Sequence, residues 1–356
     1  MSDSRVVSPR PSREELSERL LELIRCETTT GSEDRGLGPL RAYLEELGAE
    51  IEEQRIAPGR TNLIARFGDP ARARVLYSTH LDTVPPYVGG RREGTRVYGR
   101  GACDAKGQIV AQLEALRRLL AAGQSDVAWL GVIGEETDSI GAQRALELAP
   151  RFPSLSLVID GEPTSNRLAT GQRGVMTLVL ECLGRAAHSG VPEKGLSAVH
   201  ELVDWLARLR AEQLARDPEL GPEVFNIGRI SGGEALNVLA EKARAELLVR
   251  SLPDSRFLER VAALAPACGS VRRVHETPSA RFPAIEGFER VFVPFGSDAP
   301  RLRGLAQGGA VALVGPGTID VAHTEHEHLE LAELEEGIAM LEALGARVLG
   351  GTAKIA

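Results

Sequence analysis

Five short islands between Ser78 and Glu327 carry side chains that bind divalent metals and move protons. They are STHLDTVP (Ser78 to Pro85), GRGACDAKG (Gly99 to Gly107), GEETDSIGA (Gly134 to Ala142), IDGEPTS (Ile159 to Ser165) and AHTEHE (Ala322 to Glu327). Their His80, Asp104, Glu135, Glu136, Glu162 and His323 offer imidazole nitrogens and carboxylate oxygens, the donors zinc accepts, and one carboxylate can bridge two ions through its two oxygens. Two histidines, one bridging aspartate and two further carboxylates make a paired site with room for water. A lone HxD or a lone pair of adjacent glutamates is an ordinary surface feature; the conjunction of five islands points to a metallohydrolase. Two metals roughly 3.5–4 Å apart share and acidify a water, and a neighbouring glutamate can carry its proton to a departing amine.

Such residues, distant in sequence, must be gathered by the fold, and each island follows an apolar run or precedes a helical one. Ser12 with Glu15 forms a capping box before a helix whose Leu16, Leu20, Leu23 and Ile24 share a face. A second helix is expected from Leu40 to Leu47, ending at Gly48. Strands are expected at Thr61 to Phe67, Arg74 to Ser78, Val127 to Ile133 and Leu155 to Ile159, with a helix from about Gly107 to Ala122 and another between the last two strands. This is an α/β layout, helices packed on a mostly parallel or mixed sheet. Loops outside the carboxyl ends of such strands converge on one crevice, where the islands can meet.

From about Gly174 the pattern becomes βαββαβ: strand Val175 to Leu183, helix Leu196 to Leu214, strands Val224 to Ile230 and Lys242 to Arg250, helix Asp254 to Leu264, strand Val271 to Glu276. That is the ferredoxin-like order, a self-contained two-layer module. The α/β signal resumes with a strand at Ala310 to Val314 and a closing helix at Leu331 to Leu349. The expectation is a discontinuous three-layer α/β domain, 1–173 and 287–356, interrupted by an inserted domain, 174–286.

At 356 residues two domains are the prior expectation. A net charge of -8 without a basic patch disfavours nucleic acid and anionic membranes as partners. Met1 to Pro11 is polar and does not resemble a secretory signal, and no apolar run reaches membrane-spanning length, so a cytoplasmic location is expected. Cys26, Cys103, Cys182 and Cys268 have no CxxC spacing and read as reduced thiols.

At these islands the sequence resembles the zinc-dependent deacylase and exopeptidase family that includes acetylornithine deacetylase, succinyl-diaminopimelate desuccinylase, carboxypeptidase G and aminoacylase. The resemblance runs from about Leu16 to Leu349, with the islands in the family order. It implies that His80 and Glu162 hold one zinc, Glu136 and His323 the other, and that Asp104 bridges them; cobalt and manganese accept the same donors. It implies that Glu135 is the general base and that Asp82 orients His80. His326 and His328 compete with His323 on chemistry alone, but the family pattern of His, three residues, Glu favours His323. The inserted module is implied to be a dimerisation or lid domain, with His188 reaching across a homodimer interface to donate to the developing oxyanion. Asn237 and Arg250 are implied to contact the substrate carboxylate, for which a guanidinium is suited. His200 and His275 have no motif support.

One stretch departs from the family: Ala280 to Phe295 is short, with Pro283 and Pro294, and leaves no room for a regular helix. The stretch leads into GSDAP (Gly296 to Pro300), where the resemblance implies that Asp298 meets a substrate's side-chain amine. The expected reaction is hydrolysis of an N-acylated amino acid, N-acetyl-L-ornithine in arginine biosynthesis first. Acetylcitrulline, acetyl-lysine, succinyl-diaminopimelate and dipeptides are alternatives. A metal-binding regulatory protein without catalysis is the alternative of another class.

Overall fold

The computed structural model describes residues 10–306 and 308–352; residues 1–9, most of the polar stretch read for a leader, lie outside them. The chain divides into two compact units, one formed by Met1–Thr170, Phe282–Val291 and Ser297–Ala356, the other by Gly171–Arg281 and Phe292–Gly296. Residues 292–296, expected with the first domain, group with the second unit.

The first unit is built on a six-stranded sheet. From one edge its order is Glu50–Ala57, Arg60–Arg66, Val127–Val132, Val75–His80, Leu157–Asp160 and Val311–Leu313. The first two pairings are antiparallel and the rest parallel, so the sheet is mixed. Alternation along the strands divides the apolar side chains between two faces. Leu63, Ala65, Val75, Tyr77, Val127, Trp129, Leu157, Ile159 and Ala312 join one core with Leu20, Ile24, Leu113, Leu116, Ile338 and Leu341 from the helices Arg13–Arg25, Lys106–Ala121 and Leu331–Leu349. Leu76, Leu130, Val158, Val311 and Leu313 alternate with them and are equally buried. Both faces are therefore covered, as parallel strands require. The capping box at Ser12 and Glu15 is present and opens the first helix.

A buried ionic cluster locks the helices together. The Glu114 side chain has no exposure, accepts from Tyr43 Oη, and takes Arg117 Nε at 3.0 Å, while Arg19 Nε lies 3.5 Å away. Removing one member of such a set leaves uncompensated buried charge, at a cost of about 3–5 kcal/mol. Glu114→Ala is accordingly expected to lower unfolding stability by roughly 3 kcal/mol, read as a lower denaturation midpoint; a shift under about 1 kcal/mol would show the cluster to be solvated.

The second unit carries a four-stranded antiparallel sheet ordered Val224–Gly232, Lys242–Ser251, Gly174–Leu183, Gly269–Thr277. This is the strand order of the ferredoxin-like module. Met176, Leu178 and Leu180 lie opposite Val249, Leu247 and Ala245 and share a core with the helices Ala198–Ala211 and Phe257–Ala263, where Trp205 is fully buried and donates to the Val261 carbonyl at 3.0 Å. Between 280 and 295 there is no helix, only the short strands Ala280–Arg281 and Arg290–Val293. Among the described residues no helix is long and apolar enough to cross a membrane.

Candidate active site

Four parallel strands of the first unit end at one edge of the sheet, and each delivers a functional segment there. His80 closes Val75–His80, Glu135 and Glu136 follow Val127–Val132, Glu162 follows Leu157–Asp160, and the segment after Val311–Leu313 runs to His323. Asp104 arrives from the other direction, two residues before the helix Lys106–Ala121. The convergence follows from strand polarity.

Two groups of donors result, His80 with Asp104 and Glu162, and Asp104 with Glu136 and His323; in each group the ligand atoms lie within 4.8 Å of one another. Asp104 belongs to both, and its two oxygens divide between them. Oδ1 lies 2.9 Å from His80 Nε2, and Oδ2 lies 3.2 Å from His323 Nε2. Glu162 Oε1 approaches His80 Nε2 at 3.9 Å, and Glu136 Oε1 approaches His323 Nε2 at 2.9 Å. His80, Asp104 and Glu162 are buried, Glu135 and Glu136 half-buried, and His323 exposed. His323 has φ +65°, left-handed backbone that a non-glycine residue adopts under strain.

The electrostatics favour positive charge between these carboxylates. Burial opposes ionisation of Asp104, but hydrogen bonds from His323 and His80 outweigh it and hold Asp104 below the ordinary carboxylate range. Hydrogen bonds to Asp104 and Glu136 push His323 up to about 10. For His80 burial works against protonation, yet Asp104, Asp82 and Glu162 raise it well above the usual value. Burial drives Glu162 and Glu135 up, with neighbouring carboxylates reinforcing it; burial also raises Glu136. Imidazole nitrogens and carboxylate oxygens in two groups with a shared aspartate, in a place that rewards cationic charge, are a donor set that fits a pair of divalent ions.

Asp82 corrects one expectation in detail. His80 Nδ1 donates to the main-chain carbonyl of Asp82 at 3.0 Å, with the Asp82 carboxylate at 3.6 Å. The carbonyl thus sets the tautomer that leaves Nε2 facing the carboxylates. The Asp82 carboxylate mainly holds another loop: it accepts from the N–H of Gly134, Glu135 and Glu136 at 2.9, 3.1 and 3.3 Å and from Thr30 Oγ1 at 2.7 Å. It is fully buried, and those bonds fix the segment that presents Glu135 and Glu136. Nothing in the sequence marked Thr30 for this duty.

Asp298 is buried, at 1% exposed, and its charge is among those felt by Glu135. Burial lifts its carboxyl to about 6 against Ser139 and Arg301, and its charge is one of those that hold the neighbouring Asp160 carboxyl well above the ordinary range, after burial. Cys103 is buried, its thiol pushed up by burial and the charges of Glu327 and Asp104. All four cysteines are free thiols. His326 lies exposed, and His328 stacks on Tyr98 with ring centroids 5.1 Å apart.

His188, Asn237 and Arg250 belong to the second unit. His188 is exposed; its Nδ1 accepts from the Gly190 N–H at 3.1 Å, and its backbone bridges to Val238. Exposed Asn237 accepts from the Ser189 N–H at 2.9 Å, so these two lie side by side. They adjoin the end of the sheet where Lys242 pairs with Leu183, whereas half-buried Arg250 pairs with Val175 at the other end. Eight residues of strand at ~3.3 Å each put roughly 26 Å between those ends.

The family model "Peptidase family M20/M25/M40" matches residues 76–347. A peptidase M20 domain-containing protein of Schizosaccharomyces pombe is 32% identical over 325 residues, covering 89% of this chain and 80% of its own. A probable carboxypeptidase of Aspergillus terreus is 35% identical over 303 residues, covering 76% and 70%. In fold, the chain resembles a dinuclear metal-binding peptidase of Bacillus subtilis, with a TM-score of 0.70 at 15% identity, over 95% of this chain and 99% of that one.

Proposed function

The chain belongs to peptidase family M20/M25/M40, and from that premise we propose that it hydrolyses the amide bond of an N-acylated amino acid at a two-metal centre. The observation that carries this is Asp104, whose two oxygens face two separate groups of donors. His80, Asp104 and Glu162 would hold one ion, and Asp104, Glu136 and His323 the other. Bound there, the ions, zinc first, supply Lewis acidity that brings a water's pKa toward neutrality and polarises the amide carbonyl. The B. subtilis protein, described as dinuclear, supports a pair rather than one ion.

Glu135 takes the proton of the attacking water and returns it to the departing amine nitrogen. Asp82 holds Glu135 and Glu136 in place through their main-chain N–H groups. Arg250 and Asn237 receive the free carboxylate next to the scissile amide, and His188 donates to the oxyanion. Within one copy Arg250 stands at one end of a strand pairing roughly 26 Å long and the His188–Asn237 pair adjoins the other, which argues against all three reaching one small substrate in a single copy. Two copies solve this, each lending His188 and Asn237 to the other's site. Support for a homodimer comes from the exposed apolar Leu236, Val238 and Ile230 and from the Val224–Gly232 edge strand.

N-acetyl-L-ornithine is the substrate we favour. Release of a C-terminal residue from a peptide is the second reading, favoured by the name of the A. terreus relative; both cut an amide beside a free carboxylate. A panel of acetylornithine, acetylcitrulline, acetyl-lysine, succinyl-diaminopimelate and dipeptides, each with its carboxyl-amidated counterpart, separates them. Amine release from acetylornithine in preference to the rest, and none from the amidated forms, is expected. Preferred dipeptide cleavage moves the assignment to the second reading, and indifference to the carboxylate overturns both.

A further inference from the structure

Arg100 and Glu327 lie outside both donor groups yet hold the backbone around Asp104 and His323. Both residues are 1% exposed, and Arg100 Nη1 donates to Glu327 Oε2 at 2.6 Å. The other oxygen, Oε1, accepts from the main-chain N–H of Gly101 at 2.9 Å and of Cys103 and Asp104 at 3.3 Å. The guanidinium meanwhile donates to the carbonyls of Thr324 at 3.3 Å, His323 at 3.5 Å and Pro86 at 3.3 Å. One carboxylate thus gathers the loop of Asp104, one guanidinium gathers the loop of His323, and a buried ion pair joins them. Charged donors and acceptors make the stronger hydrogen bonds, and a buried pair is costly to break. His323 in particular has left-handed backbone that its surroundings must maintain. His80 ends a central strand and Glu162 follows another, so sheet pairing holds those ligands independently.

We propose that Arg100 and Glu327 are positioning residues that set the separation of Asp104 from His323, and thereby the affinity of the ion held by Asp104, Glu136 and His323. This rests on the two-ion reading above. Metal-stripped full-length protein is titrated with zinc by calorimetry and chelator competition, as wild type, Glu327→Gln and Arg100→Lys, with thermal melting in parallel. Wild type is expected to take two equivalents. In both variants one equivalent should weaken about 10- to 100-fold while the other changes by a few-fold at most, with kcat falling more than KM rises. Arg100→Lys keeps the buried charge and carries the test if Glu327→Gln does not fold. Two equivalents bound as in wild type by a folded variant, or equal weakening of both in step with a lower melting temperature, would overturn the proposal. Fewer than two equivalents in wild type would instead overturn the two-ion reading, and this inference with it.

Discussion

Replacing Glu135 by glutamine should lower kcat by about 100- to 10,000-fold while two metal ions per chain remain bound. Glutamine keeps the size and the hydrogen-bonding oxygen of glutamate but cannot take up a proton. Glu135 belongs to neither donor group, so the ions keep all their ligands. The lost stabilisation lies in the transition state, so KM should stay nearly constant and kcat should carry the change. Steady-state kinetics with metal analysis on the same preparation decides the matter. Near-normal turnover by a fully loaded variant would remove Glu135 from the chemistry.

Asp104→Ala should have the larger effect. Both donor groups use this residue, one through each oxygen, so its loss strips both and leaves buried carboxylates facing one another. Metal per chain, measured after desalting, should fall from about two ions to below one, and turnover should fall further than for Glu135→Gln. His323→Ala removes a ligand from one group only and should retain one ion. If Asp104→Ala loses no more metal than His323→Ala, the aspartate is not shared.

Much of the fold could be read in advance because apolar periodicity and burial coincide. The closing helix Leu331–Leu349 was expected at those residues, since Leu334, Ile338 and Leu341 repeat at helical spacing on one buried face. The edge strand Glu50–Ala57 left no such trace: its sequence EIEEQRIA is half charged because none of its residues is fully buried. The ligand residues stood out as types, yet their neighbours did not. Arg100 and Glu327 lie inside two islands, but a charged residue in a loop reads as solvated until its partner, more than two hundred residues away, is known. Asp82 was legible as a partner of His80 from its spacing, whereas its bonds to the N–H groups of 134–136 exist only once two parallel strands are adjacent. Asp298 was expected from the family resemblance to meet a substrate's side-chain amine; in the structure it lies buried at the start of the short helix Ala299–Leu302.

The most direct test is anomalous diffraction from crystals of the zinc-loaded protein. Two peaks about 3.5–4 Å apart are predicted, one between His80 and Glu162, the other between Glu136 and His323, with Asp104 between them. A single peak, or two that do not share Asp104, would contradict the two-metal centre.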